Sequence, residues 1–141
     1  MEYPNTACYP FSMFRDGEDL ELALVEDSRA FQIAWLLRMR GKAVLHCFDS
    51  PSDFWERATG DRNFLLRLDA VVIDNRFRDQ KQTGIGLAQQ LRSVSPSTRL
   101  VLSSNGHFFP HELEAFDLVV GKGPVPMDVL LGRCTASREA V

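Results

Sequence analysis

Five short apolar runs recur along the chain, and between them lie segments whose apolar residues repeat at helical spacing. That alternation constrains the fold more than any other feature. The runs are Leu22–Val25, Ala43–Phe48, Ala70–Ile73, Leu100–Leu102 and Leu118–Val120. They are apolar on consecutive residues rather than on alternate ones, as strands covered on both faces require. Such strands pair in parallel and return through right-handed crossovers. The expected product is an α/β domain: a five-stranded parallel doubly wound sheet in the flavodoxin-like order 2-1-3-4-5, with helices on both faces.

The intervening segments predict the helices. Ala30, Ile33, Ala34 and Leu37 fall at i, i+3, i+4 and i+7 and predict the core face of the first, with Asp27 or Ser28 as its cap and Gly41 as its stop. Phe31, Trp35 and Met39 form a second stripe beside that face, read as peripheral packing; the sharper alternative is a cover supplied by the N-terminal aromatics or by a second subunit. Ser52–Ala58 predicts a short helix running on towards Leu66. Leu87, Ala88 and Leu91 share a face of the next, which ends before Pro96. The span to Leu118 leaves room only for a shortened fourth helix near Pro110–Phe116. Val125–Arg133 predicts the last, with Pro124 and Pro126 near its start.

The chain has 141 residues, enough for one compact domain. Residues 1–18 stand apart: Tyr3, Tyr9, Phe11 and Phe14 are interrupted by Pro4, Pro10 and Gly17, which predicts an irregular aromatic arm. Residues 19–133 form the domain, and 134–141 a short tail. A net charge of -3 argues against nucleic acid as a ligand. No apolar run reaches the ~18–20 residues that span a bilayer, and the N-terminus has no secretory pattern, so no membrane is expected as a partner. Cys8, Cys47 and Cys134 are scattered and odd in number, against a disulfide framework and in favour of a cytoplasmic location. Cys47 reads as a small buried apolar residue. His46 reads as a core or edge histidine; His107 and His111, with Pro110 between them, read as surface residues.

The residues at the carboxyl end of each strand carry the chemistry. The first run ends in Glu26-Asp27, the third in Asp74, the fourth in Ser103-Ser104, and the fifth runs into Lys122. A parallel sheet delivers all these ends to one edge, where ligands of such sheets bind. Three carboxylates gathered there repel one another unless a cation or a proton intervenes. Magnesium suits the set: it takes oxygen ligands, and one or two carboxylates with phosphate oxygens are its usual company. Asp74 then reads as a nucleophile towards phosphorus, Glu26 and Asp27 as metal ligands joined by the Arg76 backbone carbonyl, and Ser104 and Lys122 as partners for phosphoryl oxygens.

The chain resembles response-regulator receiver domains of two-component systems from about Asp19 to Arg133. The residues that carry the resemblance are LALVEDS (22–28), LDAVVIDNRF (68–77), GIGLAQQLR (84–92), TRLVLSSN (98–105) and VVGKGP (119–124). It implies Mg2+ at Glu26, Asp27 and Asp74, phosphorylation of Asp74 by a histidine kinase or phosphotransfer protein, and Ser104 and Lys122 as readers of the phosphoryl group. It prefers Ser104 to Ser103, because Ser104 stands at the family's usual distance from Arg99. The chain departs from the family where Gly123 separates Lys122 from Pro124, where Val119 takes the usual strand-five aromatic position, and in the short span from Ser104 to Lys122.

Three functions stand as expectations. The first is a stand-alone phosphoryl-accepting switch acting through an output protein, at most catalysing its own Mg2+-dependent phosphorylation and slow dephosphorylation; a homodimer is open. The second is a degenerate receiver that binds partners without phosphate. The third is an aspartyl hydrolase of the haloacid-dehalogenase type, disfavoured because no second acid stands two residues after Asp74.

Overall fold

A computed structural model describes residues 20–77 and 82–132. The arm expected at 1–18 and the tail at 134–141 lie outside the described residues.

The five apolar runs form strands β1 (Glu21–Val25), β2 (Val44–Phe48), β3 (Ala70–Ile73), β4 (Leu100–Ser103) and β5 (Leu118–Val120). All pairings are parallel, and the order is β2-β1-β3-β4-β5. The expected α/β doubly wound topology is therefore the observed one. The middle strands β1, β3 and β4 are almost wholly buried, as their unbroken apolar character requires.

Among the described residues, five helices connect and flank the strands: α1 (Arg29–Met39), α2 (Pro51–Gly60), α3 (Arg62–Arg67), α4 (Gly84–Val94) and α5 (Met127–Leu130). Capping chemistry sets most of their starts. Ser28, Ser50, Asp61 and Thr83 each accept a backbone N–H of the first turn through the side chain. The helix expected to run from Ser52 towards Leu66 is in fact two, because Asp61 leaves helical geometry and caps α3. The shortened fourth helix is reduced further, to a single 3-10 turn at Pro110–Leu113. Arg92 holds that brief crossover in place: its guanidinium donates to the carbonyls of Ala115, Pro96 and Thr98 and pairs with Asp117 at 2.9 Å.

Two apolar layers sandwich the sheet. One gathers Ala23, Val25, Phe54, Phe64, Val71, Ile73, Leu87 and Leu91 beneath α2, α3 and α4. The other gathers Leu22, Leu24, Trp35, Met39, Leu45, Val72 and Leu130 beneath α1 and α5.

The rotation of α1 corrects the sequence expectation. Ile33 and Leu37, read as core, are 48% and 61% exposed, whereas Trp35 and Met39, read as peripheral, are both 1% exposed. The sequence RAFQIAWLLRM is apolar around much of its circumference, so spacing alone does not fix which stripe turns inward. Two forces decide it. The larger side chains Trp35 and Met39, one helical repeat apart, remove more apolar surface from water. Gln32, on the same side, donates to the Glu26 carbonyl at 2.6 Å and to Asp49 at 2.7 Å, bonds that only this rotation permits. His46 lies on edge strand β2, half-buried, where it meets Glu21 at 3.1 Å and the Phe64 ring edge-on. Cys47, the one cysteine among the described residues, is half-buried, and burial pushes its thiol up to about 11.

Candidate functional site

The carboxyl ends of β1 and β3 are neighbours in the sheet, at the point where the strand order reverses. The ladder continues one residue beyond each strand: the Glu26 N–H donates to the Phe48 carbonyl at 2.9 Å and the Asp74 N–H to the Val25 carbonyl at 3.0 Å. Both backbones are thus fixed at the rim, and their side chains project over it.

There one carboxylate oxygen from each of Glu26, Asp27 and Asp74 lies within 4.8 Å of the other two. Glu26 and Asp74 are buried, at 2% and 8% exposure. Lys122, delivered from beyond β5, reaches across the end of β4. Its Nζ donates to Glu26 Oε1 at 2.7 Å and to Asp74 Oδ1 at 2.9 Å. The Phe31 ring closes over the ammonium, 4.7 Å from its centroid.

This crowding sets the electrostatics. Burial pushes the Glu26 carboxyl above its ordinary value; hydrogen bonds from Lys122 and the Ser28 N–H pull the other way and do not overcome it. Burial likewise opposes the charge on Lys122, but there the bonds and charges of Glu26 and Asp74 win and raise its pKa. The two directions agree on one picture: a cation held tightly beside a Glu26 carboxyl that remains costly to ionise. Oxygen-only donors, three carboxylates and a demand for more positive charge are the donor chemistry of a hard divalent cation such as Mg2+, so the residues present fit that ion.

Of the residues singled out in sequence, the structure brings Glu26, Asp27, Asp74 and Lys122 together. Ser104 lies one residue past β4, and its hydroxyl accepts the Gly106 N–H at 3.1 Å; among the described residues no hydrogen bond joins it to the carboxylates. Ser103 is more deeply buried and donates to the Gly121 carbonyl at 3.3 Å. Arg76 lies two residues beyond Asp74 and is exposed, between half-buried Asn75 and buried Phe77.

Sequence reasoning missed three contributors. Gln32 braces the acidic turn from below. Phe31 covers the ammonium. Gly84 permits the start of α4 to abut Asp74. Of these only Gln32 left a signal, as an amide within an otherwise apolar stretch. Asn105, which the sequence places at the border of the site directly after Ser104, accepts the Lys122 backbone N–H at 2.9 Å.

The doubly wound five-stranded sheet is shared with solved structures of receiver domains. The BeF3-activated receiver domain of DrrB aligns with TM-score 0.62 and 19% identity, over 86% of this chain and 99% of its own. A CheY-like receiver domain protein from Methanospirillum hungatei JF-1 gives TM-score 0.65 and 13% identity, over 86% and 96%. The response regulator TrrA from Thermotoga maritima, solved with Mg2+ and BeF, gives 0.61 and 14%, over 86% and 99%. No protein-family model matches the sequence, and no curated protein does. The chain has the fold of response-regulator receiver domains. No helix among the described residues is long and apolar enough to cross a membrane.

Proposed function

We propose that the protein is a phosphoryl-accepting receiver of two-component signalling, with Asp74 as the acceptor. The observation that carries this reading is the convergence of Glu26, Asp27 and Asp74 within 4.8 Å under a lysine that bridges two of them. Glu26 and Asp27, with Asp74 and the Arg76 carbonyl, would hold Mg2+, which when bound supplies positive charge to the transferring phosphoryl oxygens.

The chain's own groups do the rest. An Asp74 carboxylate oxygen attacks phosphorus and forms an acyl-phosphate bond, while the bond from phosphorus to the donor's leaving group breaks and its electron pair departs with that group. Lys122 Nζ, already 2.9 Å from Asp74, pairs with a phosphoryl oxygen. Ser104 would donate to another once its hydroxyl leaves the Gly106 turn. In this reading the donor is a histidine kinase or phosphotransfer protein, the output is a partner protein, and the setting is the cytoplasm. The only catalysis is of the chain's own phosphorylation and slow dephosphorylation.

A second reading, a partner-binding module independent of phosphate, is favoured by the Ser104 hydroxyl, which bonds Gly106 rather than the cluster. Incubation with acetyl phosphate and Mg2+ separates the two. A mass gain of one phosphoryl group that needs Mg2+ and is absent in Asp74→Asn supports the switch; no gain in the wild type leaves the phosphate-independent module.

A further inference from the structure

Lys122 stands in the sequence Gly121-Lys122-Gly123, between two copies of the residue type least able to hold a backbone in one conformation. Gly123 has φ +113°, outside the range side chains readily adopt. A lysine so flanked needs an external restraint if its ammonium is to stay between two carboxylates. Asn105 supplies one. The second residue past β4, it accepts the Lys122 N–H on Oδ1 at 2.9 Å. The fit is close: a Cβ at Gly121 would lie 3.2 Å from that same oxygen. The neighbouring bonds tie the same two loops together, with the Ser104 N–H donating to the Val120 carbonyl at 3.0 Å and the Ser103 hydroxyl to that of Gly121.

We infer that Asn105 is a positioning residue for Lys122: its side-chain carbonyl substitutes for backbone stiffness that the Gly-Lys-Gly loop lacks, and holds the ammonium at the phosphoacceptor. This rests on the receiver reading for its catalytic consequence, though not for the restraint itself. Because Asn105 directly follows Ser104, the restraint also links the two groups assigned to phosphoryl oxygens. A shift of Ser104 towards the cluster carries Asn105 with it and so moves the Lys122 backbone.

The test uses the full chain and two readouts. Amide hydrogen exchange at Lys122 is expected to rise about fivefold in Asn105→Ala, the scale of one modest hydrogen bond, and to stay near wild type in Asn105→Asp, which keeps the acceptor oxygen. Phosphoryl uptake from acetyl phosphate with Mg2+ is expected to fall about fivefold in Asn105→Ala on the same scale, with the melting temperature unchanged because Asn105 is exposed. Unchanged Lys122 exchange in Asn105→Ala overturns the restraint. Faster exchange with undiminished uptake, or a loss of uptake accompanied by a matching loss of stability, overturns the positioning role. A wild-type chain that takes up no phosphoryl group defeats the receiver reading instead, and the exchange measurement still decides for or against the restraint.

Discussion

A Cβ on Gly84 would fall 1.9 Å from the carbonyl oxygen of Asp74. The first residue of α4 is therefore pressed directly against the backbone of the proposed phosphoacceptor. Asn75 completes the junction, accepting the Gly84 N–H on its backbone oxygen at 2.9 Å and the Ile85 N–H on its side chain at 3.2 Å. No rotamer change relieves a clash with backbone, so either α4 or the Asp74 loop must move. Gly84→Ala is expected to cost at least ~3 kcal/mol in urea denaturation, in the range of severe strain or overpacking. A variant with near-native stability and unaltered Asp74 chemistry would mean that the junction is looser than these distances.

Lys122 stands where a divalent cation would compete for the same oxygens. In Lys122→Met the carboxylates of Glu26 and Asp74 lose their counter-charge while remaining buried. Removing one partner of a buried pair costs about 3–5 kcal/mol. The variant should therefore melt well below wild type without Mg2+ and recover a larger share of stability than wild type when Mg2+ is added, because the ion meets uncompensated charge. Thermal melts with and without Mg2+ check this. Equal Mg2+ shifts in both proteins would show that the ion does not enter the cluster.

At the opposite end of β1, Glu21 gives the clearest pH dependence. Its pKa is lowered, first by the hydrogen bond with His46 and also by Arg67 at 3.2 Å, while burial works against the shift. An acid depressed on folding contributes stability that is present above its ordinary value of 4.5 and is lost as pH falls through its lower folded value. Glu21→Gln should cost about 1 kcal/mol at neutral pH, discounted because Arg67 is half exposed. Its stability curve should merge with wild type in acid. A gap that persists at a pH below the folded value would assign the effect to packing rather than charge.

The strand order and the acidic rim were legible because both rest on local signals: unbroken apolar runs, and charged residues just past them. The Gly84 and Asn105 contacts were not: the sheet brings the ends of β4 and β5 to one edge, but that the Asn105 side chain takes the Lys122 N–H, and that α4 starts against the Asp74 carbonyl, depends on the path of the loops. Ser104 and Ser103 show a finer limit. Position along β4 places both at the rim, but which hydroxyl turns to the carboxylates depends on the loop beyond, where Gly106 claims Ser104. The crossover to β5 was legible as short, though not as a mere 3-10 turn stapled by Arg92.

The rotation of α1 is the clearest case of tertiary packing overriding a periodic pattern, and it sets two substitutions on one helix against each other. Leu37 satisfies helical spacing for a core residue, yet it is 61% exposed; Trp35, two residues away, is 1% exposed and packs in the layer of Leu22, Leu24 and Leu45. Trp35→Ala should lose about 3–5 kcal/mol, the cost of deleting a large buried aromatic from a packed interior. Leu37→Ala should change stability by no more than ~0.5 kcal/mol, as at other exposed positions. Chemical denaturation of both variants decides between the two rotations of the helix. A costly Leu37→Ala paired with a tolerated Trp35→Ala would restore the face that spacing alone suggests. It would also detach Gln32 from Glu26 and Asp49, because both bonds depend on the same turn of α1.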